Sequence, residues 1–336
     1  MARVDAFLCS TGYEAALVAE IGATASTPCP GVVVGEAGGA DLVFGRQILP
    51  DAVWVQGASV SSLARGVVEH VLQRLDAAEQ PWRLDTLVAD DPGESLPGEL
   101  ARRAALCAER ALEALRARRT RVLRRRTEDP AALRVQLLLV DRERLLLSVA
   151  APVALPGGDL WPSPLVAGRA PVADDWDAPS SAFRKLEEAL RWHDRPIQAG
   201  ERCIDLGAAP GGWSHVALRH GAAVTAVDRA DLDPRLMARP DLKHLRRDAF
   251  GWTPEDVPVD WLLCDVIAAP EKSLALLERW ARERWFRRAC FHLKFKGQDR
   301  YGLARSALDV LRAAGYSARA KHLFHDKNEV TLLARR

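Results

Sequence analysis

The fold of the second half of the chain follows from the stretch CIDLGAAPGGW, which spans Cys203 to Trp213. An apolar strand that carries Asp205 runs into a glycine-rich turn, and the turn opens a helix. Doubly wound sheets bind ligands in the crevice at such a turn, where glycine lets the backbone approach a ligand closely. The spacing is not G-x-G-x-x-G, so the dinucleotide fingerprint is missing. We therefore predict a site for a cofactor with a cationic amino-acid end.

Strand and helix patterns alternate along this half of the chain. Strands are predicted over 202–205, 223–227, 242–245, 261–264 and 289–293, and helices over 181–193, 213–219, 271–284 and 300–314. Such alternation is typical of an α/β fold with a parallel sheet. The last two predicted strands, 318–324 and 329–334, are joined by a short loop and should pair antiparallel. A mostly parallel, Rossmann-like sheet that ends in a hairpin is the layout of class I methyltransferases.

Acids end three further strands of the predicted sheet. Asp228 lies 21 residues after Gly207 (228 − 207), where an acid usually binds ribose hydroxyls. Asp248 can accept a hydrogen bond from an adenine amino group, and Asp265 ends the next strand. S-adenosyl-L-methionine fits this set as the cofactor. The predicted cofactor-binding residues are Asp205, Gly207, Ala208, Pro210, Gly211, Gly212, Trp213, Asp228, Asp248 and Asp265.

Six prolines between Pro152 and Pro179 mark a boundary between two halves, because proline fixes φ and removes a hydrogen-bond donor. We predict an α+β domain over 1–155, a Pro-rich linker without regular elements over 156–178 and an α/β domain over 179–336. In the first half, strands are predicted over 4–8, 53–56, 134–140 and 144–149, and helices over 13–21, 63–75 and 104–115.

Bulk composition restricts the location and the partners of the protein. The net charge of the 336 residues is only +2, so any affinity for RNA must come from local basic surface. No run of 18 apolar residues is present, and we expect no membrane span. The six cysteines form no C-x-x-C pair and the eight histidines no metal-ligand spacing. We therefore expect a cytoplasmic protein with buried free thiols and without a metal.

At its glycine turn the sequence resembles the FtsJ-like RNA 2′-O-ribose methyltransferases, in the string DLGAAPGGWS that begins at Asp205. That family carries a Lys-Asp-Lys-Glu catalytic tetrad, and the counterparts here are Lys185, Asp265, Lys294 and Glu329. Within the family the chain is most similar to the RlmM type, which methylates a cytidine ribose of large-subunit rRNA. The resemblance covers 177–336 and implies rRNA as the partner. It also implies a THUMP-like RNA-binding module in the first half.

The resemblance implies in-line transfer of a methyl group to an alcohol. We expect Lys294 to accept the hydroxyl proton, Asp265 to orient Lys294, and Lys185 and Glu329 to position the ribose. Because an ordinary lysine has a pKa of about 10.4, we expect the neighbouring lysine and partial burial to lower it. The histidines at 292, 322 and 325 are interpreted as structural or exposed residues.

Basic residues outside the tetrad are candidates for RNA contact. Seven of the eleven residues from 116 to 126 are arginine, and arginine binds phosphate through a fork of donors. The predicted RNA-binding residues are Arg116, Arg118, Arg119, Arg121, Arg124, Arg125, Arg126, Lys296 and Arg300. The alternative interpretation of the arginine run is a solvated helix face.

Four other functions remain open at this point. They are a nicotinamide-dependent oxidoreductase, a non-catalytic RNA-binding protein with a methyltransferase fold, a 2′-O-methyltransferase of tRNA or an mRNA cap, and a small-molecule O-methyltransferase. Glycine spacing disfavours the first, and the complete tetrad disfavours the second. The target nucleotide and the oligomeric state do not follow from the sequence.

Overall fold

A computed structural model of the chain describes residues 3–22, 24–36, 42–76, 79–89, 98–155, 160–295 and 301–336. The chain divides into two compact units, Met1–Arg169 and Ala170–Arg336. Among the described residues, no helix has both the length and the apolar composition that crossing a bilayer requires.

The first unit is built on a seven-stranded sheet with two helices packed on one face. Its elements are β1 (Arg3–Leu8), α1 (Glu14–Ile21), β2 (Ser26–Cys29), β3 (Val32–Gly35), β4 (Gln47–Gln56), α2 (Val60–Leu75), β5 (Trp82–Val88), α3 (Gly98–Arg118), α4 (Thr120–Leu123), β6 (Leu133–Leu139), β7 (Arg144–Ala150), β8 (Val153–Ala154) and β9 (Leu160–Trp161). The sheet order is β2-β3-β1-β4-β7-β6-β5, and only the described pair β5–β6 is parallel. Apolar side chains of α2 and α3 pack on β4 to β7. This is the predicted α+β composition, and the likeness to a THUMP module stays a prediction.

The prediction for this unit leaves out β2, β3, β5 and α4, and it is wrong at two further places. β4 begins six residues before the predicted strand and contains Pro50, because the β1–β4 register shifts there and a bulge tolerates proline. The prediction that 156–178 holds no regular element is also wrong, since Leu160–Trp161 pairs with Val153–Ala154. The prolines of this segment flank these short strands instead of lying inside them. Residues 156–159 lie outside the described residues.

The second unit has a seven-stranded sheet in the order β12-β11-β10-β13-β14-β16-β15. Its elements are α5 (Phe183–Trp192), β10 (Arg202–Leu206), α6 (Gly212–Arg219), β11 (Ala223–Asp228), α7 (Pro234–Met237), β12 (Leu242–Arg246), β13 (Val259–Cys264), α8 (Pro270–Arg282), β14 (Phe286–Lys294), α9 (Gly302–Ala313), β15 (Ser317–Lys321) and β16 (Glu329–Arg335). All pairs among β10 to β14 are parallel, and β16 runs antiparallel to β14 and β15. The predicted α/β fold with a terminal hairpin is confirmed.

The burial of the central strands agrees with their position in the middle of the sheet. β10, β13 and β14 are buried along most of their length, as expected of parallel strands that are covered on both faces. β15 ends at Lys321, three residues before the predicted end. Acids cause this early end, because Asp326 accepts from the backbone N–H of Leu323 and Glu188 accepts from that of Phe324.

Candidate active site

The strand register brings the four predicted tetrad residues together. Asp265 directly follows β13, and Lys294 ends the neighbouring parallel strand β14. Glu329 begins β16 and lies directly opposite Lys294 in the antiparallel β14–β16 pair. Lys185 approaches from the first turn of α5. All four side chains therefore meet at the carboxyl edge of the parallel strands, where such sheets bind ligands.

The tetrad is a compact set of alternating charges. Nζ of Lys294 lies 2.7 Å from Oδ1 of Asp265 and 3.8 Å from Oε2 of Glu329, and it donates to the backbone carbonyl of Asp265 at 2.9 Å. Nζ of Lys185 is ion-paired with Glu329 and lies 3.7 Å from Oδ2 of Asp265. The side chains of Lys185 and Lys294 are only 13% and 14% exposed. Each amine thus faces both carboxylates.

Electrostatics within this set differ from the prediction. Burial alone would lower the pKa of Lys185, but the charges of Asp265 and Glu329 outweigh it and raise that pKa. The expected lowering of a lysine pKa is therefore not found at Lys185, because the two carboxylates outweigh burial. Burial would raise the pKa of Asp265 and of Glu329. Cationic neighbours instead hold both pKa values below their ordinary range.

His292 also belongs to this cluster, although the sequence analysis interpreted it as a structural or exposed residue. The imidazole is fully buried, and its Nδ1 lies 3.0 Å from Oδ1 of Asp265. Its Nε2 lies 3.0 Å from the hydroxyl of Thr331, which in turn contacts Asp326. One signal for this role is visible in the sequence. His292 precedes Lys294 by two residues, so both side chains lie on the same face of β14.

The amines of Lys185 and Lys294 lie where a metal ion would be bound by this cluster. Asp265, His292 and Glu329 place one donor atom each within 4.8 Å of one another. The ammonium groups of Lys294 and Lys185 neutralise the two carboxylates at these positions. We therefore assign no metal ligands here.

Beside the tetrad lies a pocket of about 650 Å³ that the glycine turn borders. Gly207 adopts φ +74°, and a Cβ added there would lie 2.8 Å from Cα of Val266. Trp213 also borders the pocket, where its Nε1 donates to the carbonyl of Ala182 at 3.0 Å. Of the ten predicted cofactor-binding residues, the pocket lining contains Asp205, Gly207, Ala208, Pro210, Gly212, Trp213, Asp228 and Asp265. The volume is within the range of about 300–1,000 Å³ that is usual for small-molecule sites.

Two acids test whether this pocket suits a cationic amino-acid cofactor. Asp205 is 1% exposed and accepts from Ser214 at 2.7 Å, but its Oδ1 has no hydrogen-bond partner. A buried carboxylate oxygen without a partner costs free energy, and an ammonium group in the pocket would satisfy it. Asp228 lines the pocket while it accepts from the backbone N–H groups of Ala209 and Ala230. These residues fit S-adenosylmethionine.

Asp248 lies outside the lining of the pocket and is exposed. Its Oδ1 accepts from the backbone N–H of Phe250 at 3.1 Å, so it caps the turn that follows β12. The contact of Asp248 with an adenine amino group stays a prediction.

The arginine run lies at the end of α3 and in α4, in the first unit. Most of its side chains are exposed, and within the described part of the chain Arg116, Arg118 and Arg124 have no ion pair. Arg119, Arg121 and Arg126 lie 3.3–3.6 Å from carboxylates. Arg125 differs, because its guanidinium donates to the carbonyl of Leu75 at 2.7 Å. This bond ties Arg125 to the end of α2, and its contact with RNA stays a prediction. Lys296 and Arg300 lie outside the described residues.

Comparison with known proteins agrees with this geometry. Residues 179–291 match the model of the FtsJ-like methyltransferase family. "Ribosomal RNA large subunit methyltransferase M" of Halorhodospira halophila is 42% identical over 180 residues, which cover 52% of this chain and 51% of that protein. The protein of the same name from Xanthomonas campestris pv. campestris is 35% identical over 221 residues, covering 62% and 61%.

The chain thus spans between about half and three fifths of the length of these curated relatives. Among solved structures, the fibrillarin pre-rRNA processing protein of Methanococcus jannaschii covers 46% of this chain and 76% of its own. Its TM-score is 0.36 at 16% identity, a likeness too low to carry an argument. Residues 179–291 therefore match the FtsJ-like methyltransferase family, as the resemblance drawn from the glycine turn implies.

Proposed function

We propose that this protein transfers a methyl group from S-adenosylmethionine to a ribose 2′-hydroxyl of RNA. We further propose that the substrate is a cytidine of large-subunit rRNA, in agreement with the names of the relatives. The observation that carries the proposal is the contact of Lys294 with Asp265 beside the glycine-lined pocket. This substrate implies a cytoplasmic site of action.

Different residues of the pocket would bind different parts of the cofactor. Asp205 would pair with its ammonium group, Asp228 would accept from its ribose hydroxyls, and the backbone at Gly207 leaves room for it. When bound, S-adenosylmethionine supplies an electrophilic methyl group on a sulfonium. Methyl transfer to the alcohol releases one proton, which a base beside the reacting oxygen must accept.

Lys294 is the base in this proposal. Nζ has to lose its ammonium proton before it accepts the hydroxyl proton. With Lys294 neutral, Lys185 positive and both carboxylates negative, the tetrad carries one net negative charge. That charge complements a bound sulfonium cation. Asp265 then stabilises the ammonium that forms on Lys294, at a distance of 2.7 Å.

Two alternatives are disfavoured by the same site. A non-catalytic RNA-binding protein would not need two amines and two carboxylates within 4 Å of one another. The glycine turn lacks the G-x-G-x-x-G spacing of a dinucleotide site, which disfavours a nicotinamide-dependent oxidoreductase. Methylation of another RNA uses the same chemistry, so the experiment has to identify the substrate.

Mapping of ribose methylation in total RNA identifies the substrate. Cells that lack the gene are complemented with wild type, with Lys294→Ala or with Lys272→Ala, whose lysine is exposed on α8. We expect one large-subunit rRNA cytidine to lose its methyl group, and wild type and Lys272→Ala to restore it. An unchanged rRNA map contradicts the proposed substrate. A mark lost from tRNA instead identifies that RNA.

A further inference from the structure

A buried chain of hydrogen bonds lies directly behind the tetrad. It runs from Asp265 through His292 and Thr331 to Asp326. We propose that His292 is a positioning residue, whose Nδ1–H holds the Asp265 carboxylate in the orientation that receives Lys294. This inference rests on the proposed function, since it concerns the geometry of the same base.

The β14–β16 register places His292 without any contribution from a loop. His292 pairs with Thr331, and two residues further along the strands Lys294 pairs with Glu329. Alternate residues of a strand share a face, so the two pairs stack one behind the other. The inner pair, His292 and Thr331, is completely buried. Its geometry is thus fixed by the sheet itself.

Hydrogen-bond capacity decides which nitrogen of His292 carries a proton. Asp265 is ionised and can only accept, so Nδ1 must donate to it. The single hydroxyl proton of Thr331 has two possible destinations. It goes to Asp326 when Nε2 is protonated, or to Nε2 when Asp326 is protonated. His292 and Asp326 share one proton in either arrangement, and Nδ1–H points at Asp265 in both.

The surroundings agree with this sharing of one proton. Burial raises the pKa of Asp326 to about 7. Burial would lower the pKa of His292, but the charges of Asp265 and Asp326 raise it. Glu329 also faces the imidazole, at 3.7 Å from Nδ1, and the two amines of the tetrad lie against Glu329 and Asp265. Interacting sites of this kind titrate as a pair.

Oδ1 of Asp265 is the atom on which the proposed function of His292 depends. It is ion-paired with Nζ of Lys294 at 2.7 Å and lies 3.0 Å from Nδ1 of His292. The imidazole cannot tilt freely, because Trp213 packs edge-on against it with a centroid distance of 4.7 Å. Trp213 also borders the cofactor pocket. His292 thus links the wall of the pocket to the acid that orients the base.

Three substitutions separate positioning from simple packing. His292→Asn keeps a donor near the position of Nδ1, whereas His292→Phe fills the space without a donor. We expect His292→Phe to slow single-turnover methyl transfer by about 10–100-fold, as for other residues that orient a reacting group. His292→Asn should recover most of that loss. The Kd values for cofactor and RNA should stay within about twofold of wild type, because His292 touches neither.

Thr331→Val is the variant that tests the outer end of the chain of hydrogen bonds. It preserves shape but removes the hydroxyl that fixes the tautomer of His292. We expect about a threefold to tenfold loss of rate and a changed pH profile of the single-turnover rate, even if His292→Phe fails to fold. A wild-type rate of methyl transfer by folded His292→Phe would overturn the inference. If His292→Phe does not fold, a wild-type rate of Thr331→Val would overturn it. Wild type that methylates no RNA would instead overturn the proposed function.

Discussion

Asp205 shows how a single residue is prepared for a ligand. Its side chain is almost completely buried at the end of β10, yet only one of its oxygens has a partner, Ser214. Burial raises the pKa of this carboxyl to about 7, although Ser214 donates to it. An ammonium group in the pocket would favour the charged form. The binding of a cationic amino-acid ligand and the ionisation of Asp205 should therefore be coupled.

The raised pKa of Asp205 also makes the free energy of unfolding depend on pH. The pKa of an unfolded aspartate is about 3.9, so the native state binds one extra proton between about pH 4 and pH 7. The stability that this group contributes is present at low pH and is lost as pH rises through that window. We expect Asp205→Asn, which stays neutral, to gain stability relative to wild type by up to about 4 kcal/mol at pH 8.

Urea unfolding of both proteins at pH 4 to 8 measures this difference. The free energy of unfolding of the wild type should fall relative to Asp205→Asn as pH increases. The affinity of the wild type for S-adenosylmethionine should rise across pH 7, and Asp205→Asn should lack that rise. Parallel stability curves for the two proteins would show that Asp205 does not change its protonation state on folding.

At the scale of elements, the site depends on the close approach of the two turns that follow β10 and β13. Gly207 follows β10 with a positive φ, and Val266 follows β13 by two residues. The two backbones meet so closely that no side chain fits between them. A glycine is required here for conformation and for space, whereas Gly200 has a similar φ of +80° and open surroundings.

Alanine at these two positions separates the two requirements. We expect Gly200→Ala to cost about 1–2 kcal/mol of unfolding free energy, which is the cost of a left-handed conformation, and to leave cofactor affinity unchanged. Gly207→Ala should cost more, and it should weaken cofactor binding at least tenfold because the turn must move. Urea unfolding and calorimetric titration with S-adenosylhomocysteine measure both effects. Equal behaviour of the two variants contradicts a steric role for Gly207.

Apolar runs mark β13 and the centre of β14, which the sequence predicted. Strands β12 and β15 carry charged residues and were predicted from the regular succession of strands and helices in that half of the chain. β5 was missed because charged residues interrupt its apolar run. Its Asp85 is buried with Arg83 at 2.9 Å and with Arg134 of β6. Such a pairing depends on the neighbouring strand, so the pattern of β5 alone does not reveal it.

The same limit explains how much of the site could be predicted. Motif similarity located the four tetrad residues, and the strand order brings them together. His292 and Glu188 were missed as site residues, since their burial depends on distant segments. Glu188 on α5 is completely buried and accepts from the backbone N–H groups of Phe324 and His325. It thereby fixes the loop that precedes Glu329.

At the scale of the whole molecule, the proposed RNA affinity requires basic surface outside the pocket. Arg116, Arg118 and Arg124 are exposed and have no ion pair among the described residues. Each phosphate that a cation neutralises in single-stranded RNA adds about 0.7 to the slope of log K against log salt. We expect replacement of all three by alanine to reduce the magnitude of that slope by about 2.

A matched control removes the same charge from the same unit. Arg110, Arg142 and Arg144 are exposed but are paired with Glu113, Glu99 and Asp141. Their replacement by alanine should leave the salt slope of RNA binding close to that of wild type. If both triple variants changed the slope equally, nonspecific charge and not the arginine run would account for the affinity.

The central claim is that Lys294 accepts the ribose hydroxyl proton. Single-turnover methyl transfer, with S-adenosylmethionine and RNA both saturating, tests it most directly in wild type, Lys294→Ala and the surface control Lys272→Ala. The account predicts that Lys294→Ala slows transfer by about 10²–10⁴-fold, while Lys272→Ala transfers at the wild-type rate. Wild-type transfer by Lys294→Ala would contradict the assignment of the base.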